Sequence, residues 1–345
     1  MGTEACASEE GFLDDTPAHH PSSFPLAALR LMRPGDWLKN IFVFVPAIFY
    51  YAGVAREQLA QWAAGATADG SLVQSHLSAL AAGFGAFCLL ASGAYAINDA
   101  IDAPEDRLHP VKSRRSVASG ALTPAAAIWI GIACVAGGLA LATAAGPDGL
   151  GIVLVYALIQ FVYNLGLKRV AFVDVSCLAT GFCLRAILGA TAIGAPISVW
   201  LLVCVFFLTL YLGFIKRTCD MVRASQSPGS TWRSRAGYAD RFELEWLLGI
   251  SGVLTALSYL SYTLSAHARG IFGVRALGLA LLTPLVLMVV HRFYRRATAG
   301  RSESPLAALL EDRIVLAGIA CFVAGMMAVL FWSPLELWLA RVLAA

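Results

Sequence analysis

Between positions 98 and 106 the chain reads N-D-A-I-D-A-P-E-D, which sets Asn98, Asp99, Asp102 and Asp106 at the spacing N-D-x-x-D-x-x-x-D. On a helix Asp99, Asp102 and Asp106 fall at i, i+3 and i+7 and share one face. Carboxylates crowded at the C-terminal end of a helix oppose its negative dipole and repel one another, so this arrangement calls for a cation. Hard carboxylate oxygens suit Mg²⁺, which keeps several waters and bridges one or two carboxylates to substrate phosphates. His109, Lys112, Arg114 and Arg115 follow at once and would grip the remaining phosphate charge. Acids followed by bases read as a metal-diphosphate site, with Asp99, Asp102 and Asp106 holding the metal and carrying the chemistry. A solvated, salt-bridged loop at a topogenic helix end is the competing reading. It leaves the helical phase of the acids and their place against the dipole unexplained.

The elements that present these residues are membrane helices. Of 345 residues, 59 % are hydrophobic and 14 % charged, against about 25 % charged in a soluble domain. Nine apolar segments, at about 29–55, 76–101, 122–145, 149–168, 173–193, 197–216, 244–267, 272–291 and 313–332, are long enough to cross a bilayer. The expected fold class is all-α: a polytopic membrane protein with nine transmembrane helices. Residues 1–24, with Glu4, Glu9, Glu10, Asp14 and Asp15 and no basic stretch before an apolar run, read as a disordered cytoplasmic tail and not a cleaved signal. Residues 25–335 form a single transmembrane domain and 336–345 a short C-terminal tail. Pro104 disfavours helical geometry at Ala103, so the second span is expected to stop there, with Pro104, Glu105 and Asp106 opening a new short helix.

Charge placement orients the chain. With the N-terminus inside, 20 of the 25 lysines and arginines fall in inside segments. Only Arg56, Arg269, Arg275 and Arg341 lie outside, and Arg185 falls within a span. The positive-inside rule then puts the N-terminus and the acidic cluster in the cytoplasm, across an inner (plasma) membrane. The net charge of +3 gives no reason to expect a nucleic-acid partner, and a homo-oligomer is compatible with the pattern. The eight cysteines are scattered, mostly within spans, as small core hydrophobes. Without internal repeats or charges concentrated at mid-membrane, the transporter alternative finds little support.

Other candidates stand near the same surface. Arg185 lies well inside the fifth span, where an unpaired charge costs at least about 2.5–3.5 kcal/mol. A bound phosphate, an interhelical pair or a water-filled cavity would each answer that cost. Tyr163 and Lys168 close the fourth span and Asp174 opens the fifth, either as part of a site or as interfacial anchors. Lys39 follows Trp37 near the inner surface, where a snorkelling anchor would be ordinary. Arg292, Arg295 and Arg296 read as topogenic, and the Trp residues show no pattern beyond packing.

The N-D-x-x-D-x-x-x-D motif resembles that of the UbiA superfamily of intramembrane prenyltransferases, whose nine helices carry two aspartate-rich motifs at the cytoplasmic ends of helices two and six, facing a shared cavity. The place of the second motif reads "YLGFIKRTCDMVRAS", Tyr211 to Ser225, with Asp220 as its one acid and Lys216 and Arg217 before it. That variation resembles the branch typified by decaprenyl-phosphate phosphoribosyltransferase. So do "RPGDWLKNIFVFVPAIF" from Arg33, "HPVKSRRSVASG" from His109, "YNLGLKRVAFVDVSCLATGFCLRAILGA" from Tyr163 and "SPLAALLEDR" from Ser304. Ser116 departs from the Pro usual at its place.

The resemblance implies Mg²⁺-dependent transfer of a 5-phosphoribosyl group from phosphoribosyl diphosphate to a polyprenyl phosphate, in cell-wall biosynthesis. Asp99, Asp102 and Asp106 would hold the metal. Substrate contacts would come from Lys39, Asn98, Lys112, Arg115, Tyr163, Lys168, Asp174, Arg185, Lys216 and Arg217. The acceptor is already anionic and needs no general base, which agrees with the lack of a Ser-His-Asp or Cys-His arrangement. The alternative within the family is transfer of a prenyl chain from its diphosphate to an aromatic or other acceptor, which uses the second acid motif.

Overall fold

The computed structural model describes residues 23–52, 54, 70–108, 112–226, 237–300, 311–332, 334, 335, 338 and 341. Most of the expected N-terminal tail, nearly all of the C-terminal tail, His109 and Arg301 lie outside the described residues. Among those described every regular element is helical: α1 Phe24–Met32, a 3-10 stretch Pro34–Phe44, α2 Gly70–Ile101, α3 Ala103–Arg107, α4 Pro124–Ala144, α5 Gly149–Leu165 and α6 Val173–Ala192. There follow α7 Val199–Gln226, α8 Arg241–Leu264, α9 Ala266–Phe272, α10 Arg275–Ala280, α11 Thr283–Thr298 and α12 Arg313–Phe331.

Among the described residues seven helices are long and apolar enough to cross a membrane: Ser71–Ile101, Pro124–Ala144, Val173–Ala192, Val199–Ser225, Arg241–Leu264, Arg275–Thr298 and Arg313–Phe331. Gly149–Leu165 is a shorter apolar helix. The chain is therefore a multi-pass membrane protein. The first expected span is built in pieces, because Arg33 takes a left-handed conformation, φ 52°, between α1 and the 3-10 stretch. Trp37 holds this junction: its indole donates to the Ser92 hydroxyl (3.0 Å), which donates to the Met32 carbonyl (2.8 Å). A Trp read as simple packing is thus a polar clamp on the turn that aims Arg33.

Small residues let the helices close up, the usual route to packing where lipid removes the hydrophobic drive. A Cβ on Gly93 of α2 would stand 2.8 Å from the Gly131 carbonyl of α4. One on Gly189 of α6 would stand 1.8 Å from the Val43 carbonyl. The second contact presses the 3-10 stretch onto α6 and brings Asn40 to Arg185.

Two boundaries differ from the sequence expectation. The break near Pro104 falls at Asp102 (φ −80°, ψ −3°), and Ala103 is already helical. Asp102 donates its amide to Asn98 (2.8 Å) and accepts from Asp106 (2.9 Å), so the chain barely leaves its helical path. In addition α7 runs to Gln226, which puts Lys216 and Arg217 inside a continuous helix. The apolar-to-polar transition in sequence marks a membrane surface, whereas a helix carries its own hydrogen bonds beyond it.

Candidate active site

Two nests of charge form at one end of the bundle. In the first, Asp99 and Asp106 are both buried and converge on Arg115, whose Nη1 donates to Asp106 Oδ2 at 2.7 Å and to Asp99 Oδ1 at 3.1 Å. Arg33 comes from the turn after α1, its Nη2 reaching both Asp99 oxygens at 2.7 and 2.9 Å. Its guanidinium also stacks 4.7 Å from the Tyr95 ring centre. Asp102 turns aside and accepts from Asn98 Nδ2 at 2.9 Å. Behind the nest the Ser116 hydroxyl donates to the Ala27 carbonyl (3.0 Å), tying the basic loop to α1.

In the second nest Asp174 is wholly enclosed. Its carboxylate accepts from Arg217 Nε (2.7 Å), from the Val175 amide (2.6 Å) and from the Tyr238 hydroxyl. The Tyr238 oxygen accepts in turn from the Phe172 amide (3.2 Å). Burial, then the bond to a carboxylate, holds the Tyr238 phenol well above its ordinary range. Tyr163 lies within electrostatic reach of Arg217, and Asp220 stands 4.0 Å from Arg217 Nη1.

Charged side chains link the nests. Lys39 pairs with Asp36, both lie within electrostatic reach of Tyr95 and Lys216, and Lys112 lies within reach of Asp220. Lys216 itself is exposed. The structure thus gathers Asp99, Asp106, Arg115, Lys39, Lys112, Lys216, Arg217, Tyr163 and Asp174 at one end of the bundle. Lys168, in a 3-10 turn after α5, is half-buried near that end.

Arg185 lies deeper. It donates to Asn40 Oδ1 (2.7 Å), the Gly181 carbonyl (2.7 Å) and the Tyr156 hydroxyl (3.2 Å). Phe87, Tyr156 and Phe182 surround it with ring centres 4.8, 4.9 and 5.3 Å away. These partners are neutral, so hydrogen bonds and aromatic faces meet the desolvation cost while the full positive charge is left in place.

Sequence reasoning passed over Arg33, Tyr238 and Asn40. Arg33 had a signal, as the residue before Pro34-Gly35 where a helix must stop. Tyr238 had none, because its partner is 64 positions away.

The first nest offers donors of the kind a divalent cation takes, with arginine bonded to both acids. Two buried carboxylates already meet on one positively charged nitrogen, and hard oxygens are the donors that Mg²⁺ takes. Among the described residues no three acids, histidines or cysteines stand together as a preformed cage, since Asp102 faces Asn98.

The structure is thus a multi-pass helical bundle with paired acids and clustered cations at one end. The chain belongs to the UbiA prenyltransferase family, whose model matches residues 59–310. It is similar to the decaprenyl-phosphate phosphoribosyltransferase of Corynebacterium glutamicum, 26 % identical over 318 residues and covering 90 % of each chain. The enzyme of the same name from Mycobacterium tuberculosis is 24 % identical over 307 residues, covering 88 % of this chain and 93 % of that one. In fold it resembles a UbiA homologue from Archaeoglobus fulgidus bound to GPP and Mg²⁺, with TM-score 0.60, 19 % identity, and coverage of 88 % and 99 %.

Proposed function

We propose that this chain transfers the 5-phosphoribosyl group of phosphoribosyl diphosphate to a polyprenyl phosphate of the decaprenyl type, releasing diphosphate. The observation that carries this reading is the make-up of the second nest. Asp174, its enclosed acid, is consumed by Arg217, Tyr238 and a backbone amide, while Lys216 and Lys112 lie within reach of Asp220 and Lys39 within reach of Lys216. One acid nest opposed by cations suits two anionic substrates, a sugar diphosphate and a lipid phosphate. The relatives named for that reaction support it.

Asp99, Asp106 and Asp102 would hold Mg²⁺, which when bound supplies Lewis-acid stabilisation of charge on the departing diphosphate. Lys112 and Arg115 bind its outer oxygens, and Asn98 orients Asp102. Lys39, Lys216 and Arg217 bind the acceptor phosphate, while Arg185 draws it inward through its uncompensated charge. Tyr163 and Asp174 fix the direction of Arg217, and Lys168 adds positive charge at the rim. A phosphate oxygen of the acceptor forms the new bond to ribose C1 as the bond from C1 to the diphosphate oxygen breaks, and no proton needs to move. In this reading nine helices enclose a cavity open to the cytoplasm, with the N-terminus on the same side of an inner membrane.

Incubating purified protein with Mg²⁺, labelled phosphoribosyl diphosphate and polyprenyl phosphate should carry label into the organic phase. Label entering lipid product only from a prenyl diphosphate would replace this reading with prenyl transfer.

A further inference from the structure

Arg33 and Arg115 each spend a single terminal nitrogen on the acids. Arg33 uses Nη2 alone and Arg115 uses Nη1 alone. Among the described residues no hydrogen bond is made by the Nε or the other terminal nitrogen of either, and their side chains are 28 % and 26 % exposed against 4 % and 2 % for Asp99 and Asp106. The acids face inward while the unused edge of each guanidinium fork remains available. That edge matches the paired oxygens of a phosphate. Charge points the same way. Asp99 and Asp106 are each already met by a guanidinium, so a lone divalent cation must displace a bonded partner before it can bind.

Resting on the function proposed above, we propose that Arg33 and Arg115 are exchangeable counter-ions. They occupy Asp99 and Asp106 until a diphosphate arrives, then transfer to its oxygens and free the carboxylates, so the metal is admitted together with the donor and not before it. Arg33 is thereby a diphosphate-reading residue of the donor site. Its left-handed backbone, φ 52°, persists because the Trp37-Ser92-Met32 clamp holds it. The clamp fixes the arginine's base and leaves its tip to move.

The test is Mn²⁺ binding to the detergent-solubilised full-length protein, read by electron paramagnetic resonance, with inorganic diphosphate as the donor probe. Wild type should bind Mn²⁺ weakly alone, and diphosphate should tighten binding by about tenfold or more. Arg33→Met and Arg115→Met should each bind Mn²⁺ alone about tenfold tighter than wild type and lose most of the diphosphate effect. Asp99→Asn should abolish binding in every arm, which locates the ion. Arg33→Lys and Arg115→Lys keep the charge but lose the fork, and should move the same way by about threefold; they decide the matter if a Met variant fails to fold. Arginine variants that bind Mn²⁺ no tighter than wild type, with Asp99-dependent binding in the presence of diphosphate intact, would overturn the exchange and leave the proposed function standing. Loss of that diphosphate-assisted binding from wild type itself would sink both.

Discussion

The two acid nests are built from the same residue types and behave as opposites. Asp174 has all its partners inside the protein, from a backbone amide, a phenol and a guanidinium, and is fully buried. Asp99 and Asp106 are almost as buried, yet the side-chain donors found on them are two arginines whose forks remain open. An acid satisfied on every side is a staple, and its charge is already spent. One held only by mobile cations can change partner without breaking the fold. The chemistry of this end of the bundle is therefore expected to depend on the first nest and its positioning on the second.

That contrast can be broken most directly by removing charge from each nest in turn. Asp99→Asn should lower phosphoribosyl transfer by about a thousandfold or more, with thermal unfolding in detergent nearly unchanged. Asp174→Asn should do the reverse in kind. It weakens the buried bonds that the Val175 amide and the Tyr238 hydroxyl make to the carboxylate, at a cost of about 1–3 kcal/mol read as a fall in the unfolding temperature. Activity lost at Asp174 with stability intact would make that residue a direct ligand and erase the difference between the nests.

A smaller effect sharpens the comparison. Tyr238→Phe removes one donor from Asp174 and leaves the guanidinium, so it should cost about 1–2 kcal/mol of stability with a modest change in turnover. Smallest is a pH effect outside both nests. Asp312 caps α12 and accepts from Arg292 (2.8 Å) and Arg296 (3.1 Å). Its burial works to raise the carboxyl, but bonds from Arg292, the Ile314 and Val315 amides and Arg296 prevail and hold it at about 2. A carboxyl lowered on folding stabilises fully above the ordinary value of about 3.9, and that contribution is lost as pH falls from there toward 2. Unfolding temperatures measured between pH 5 and 2 should show this acid limb, and Asp312→Asn should flatten it. Arg292 and Arg296, read from sequence as topogenic, are thereby also structural partners of a helix cap.

Much of this was legible in the residues themselves. Apolar length announces a membrane helix because a bilayer has a fixed thickness, and the phase of Asp99 and Asp106 announces a shared face because helices have a fixed period. Pro104 marked the break between α2 and α3 to within a residue. Arg185 shows where such reading stops. Its cost in the membrane was visible, but its remedy, Asn40 from 145 positions away and three aromatic faces, was not.

That this is a helical membrane protein with acids phased to meet a cation follows from composition and local geometry alone. Which partner each acid meets depends on how the helices pack in space. Arg33 reaches Asp99 across 66 positions and Tyr238 reaches Asp174 across 64, pairings set by how closely glycine-lined helices approach and how a clamped turn aims one side chain. Charge complementarity is a property of space, and one-dimensional order does not encode it.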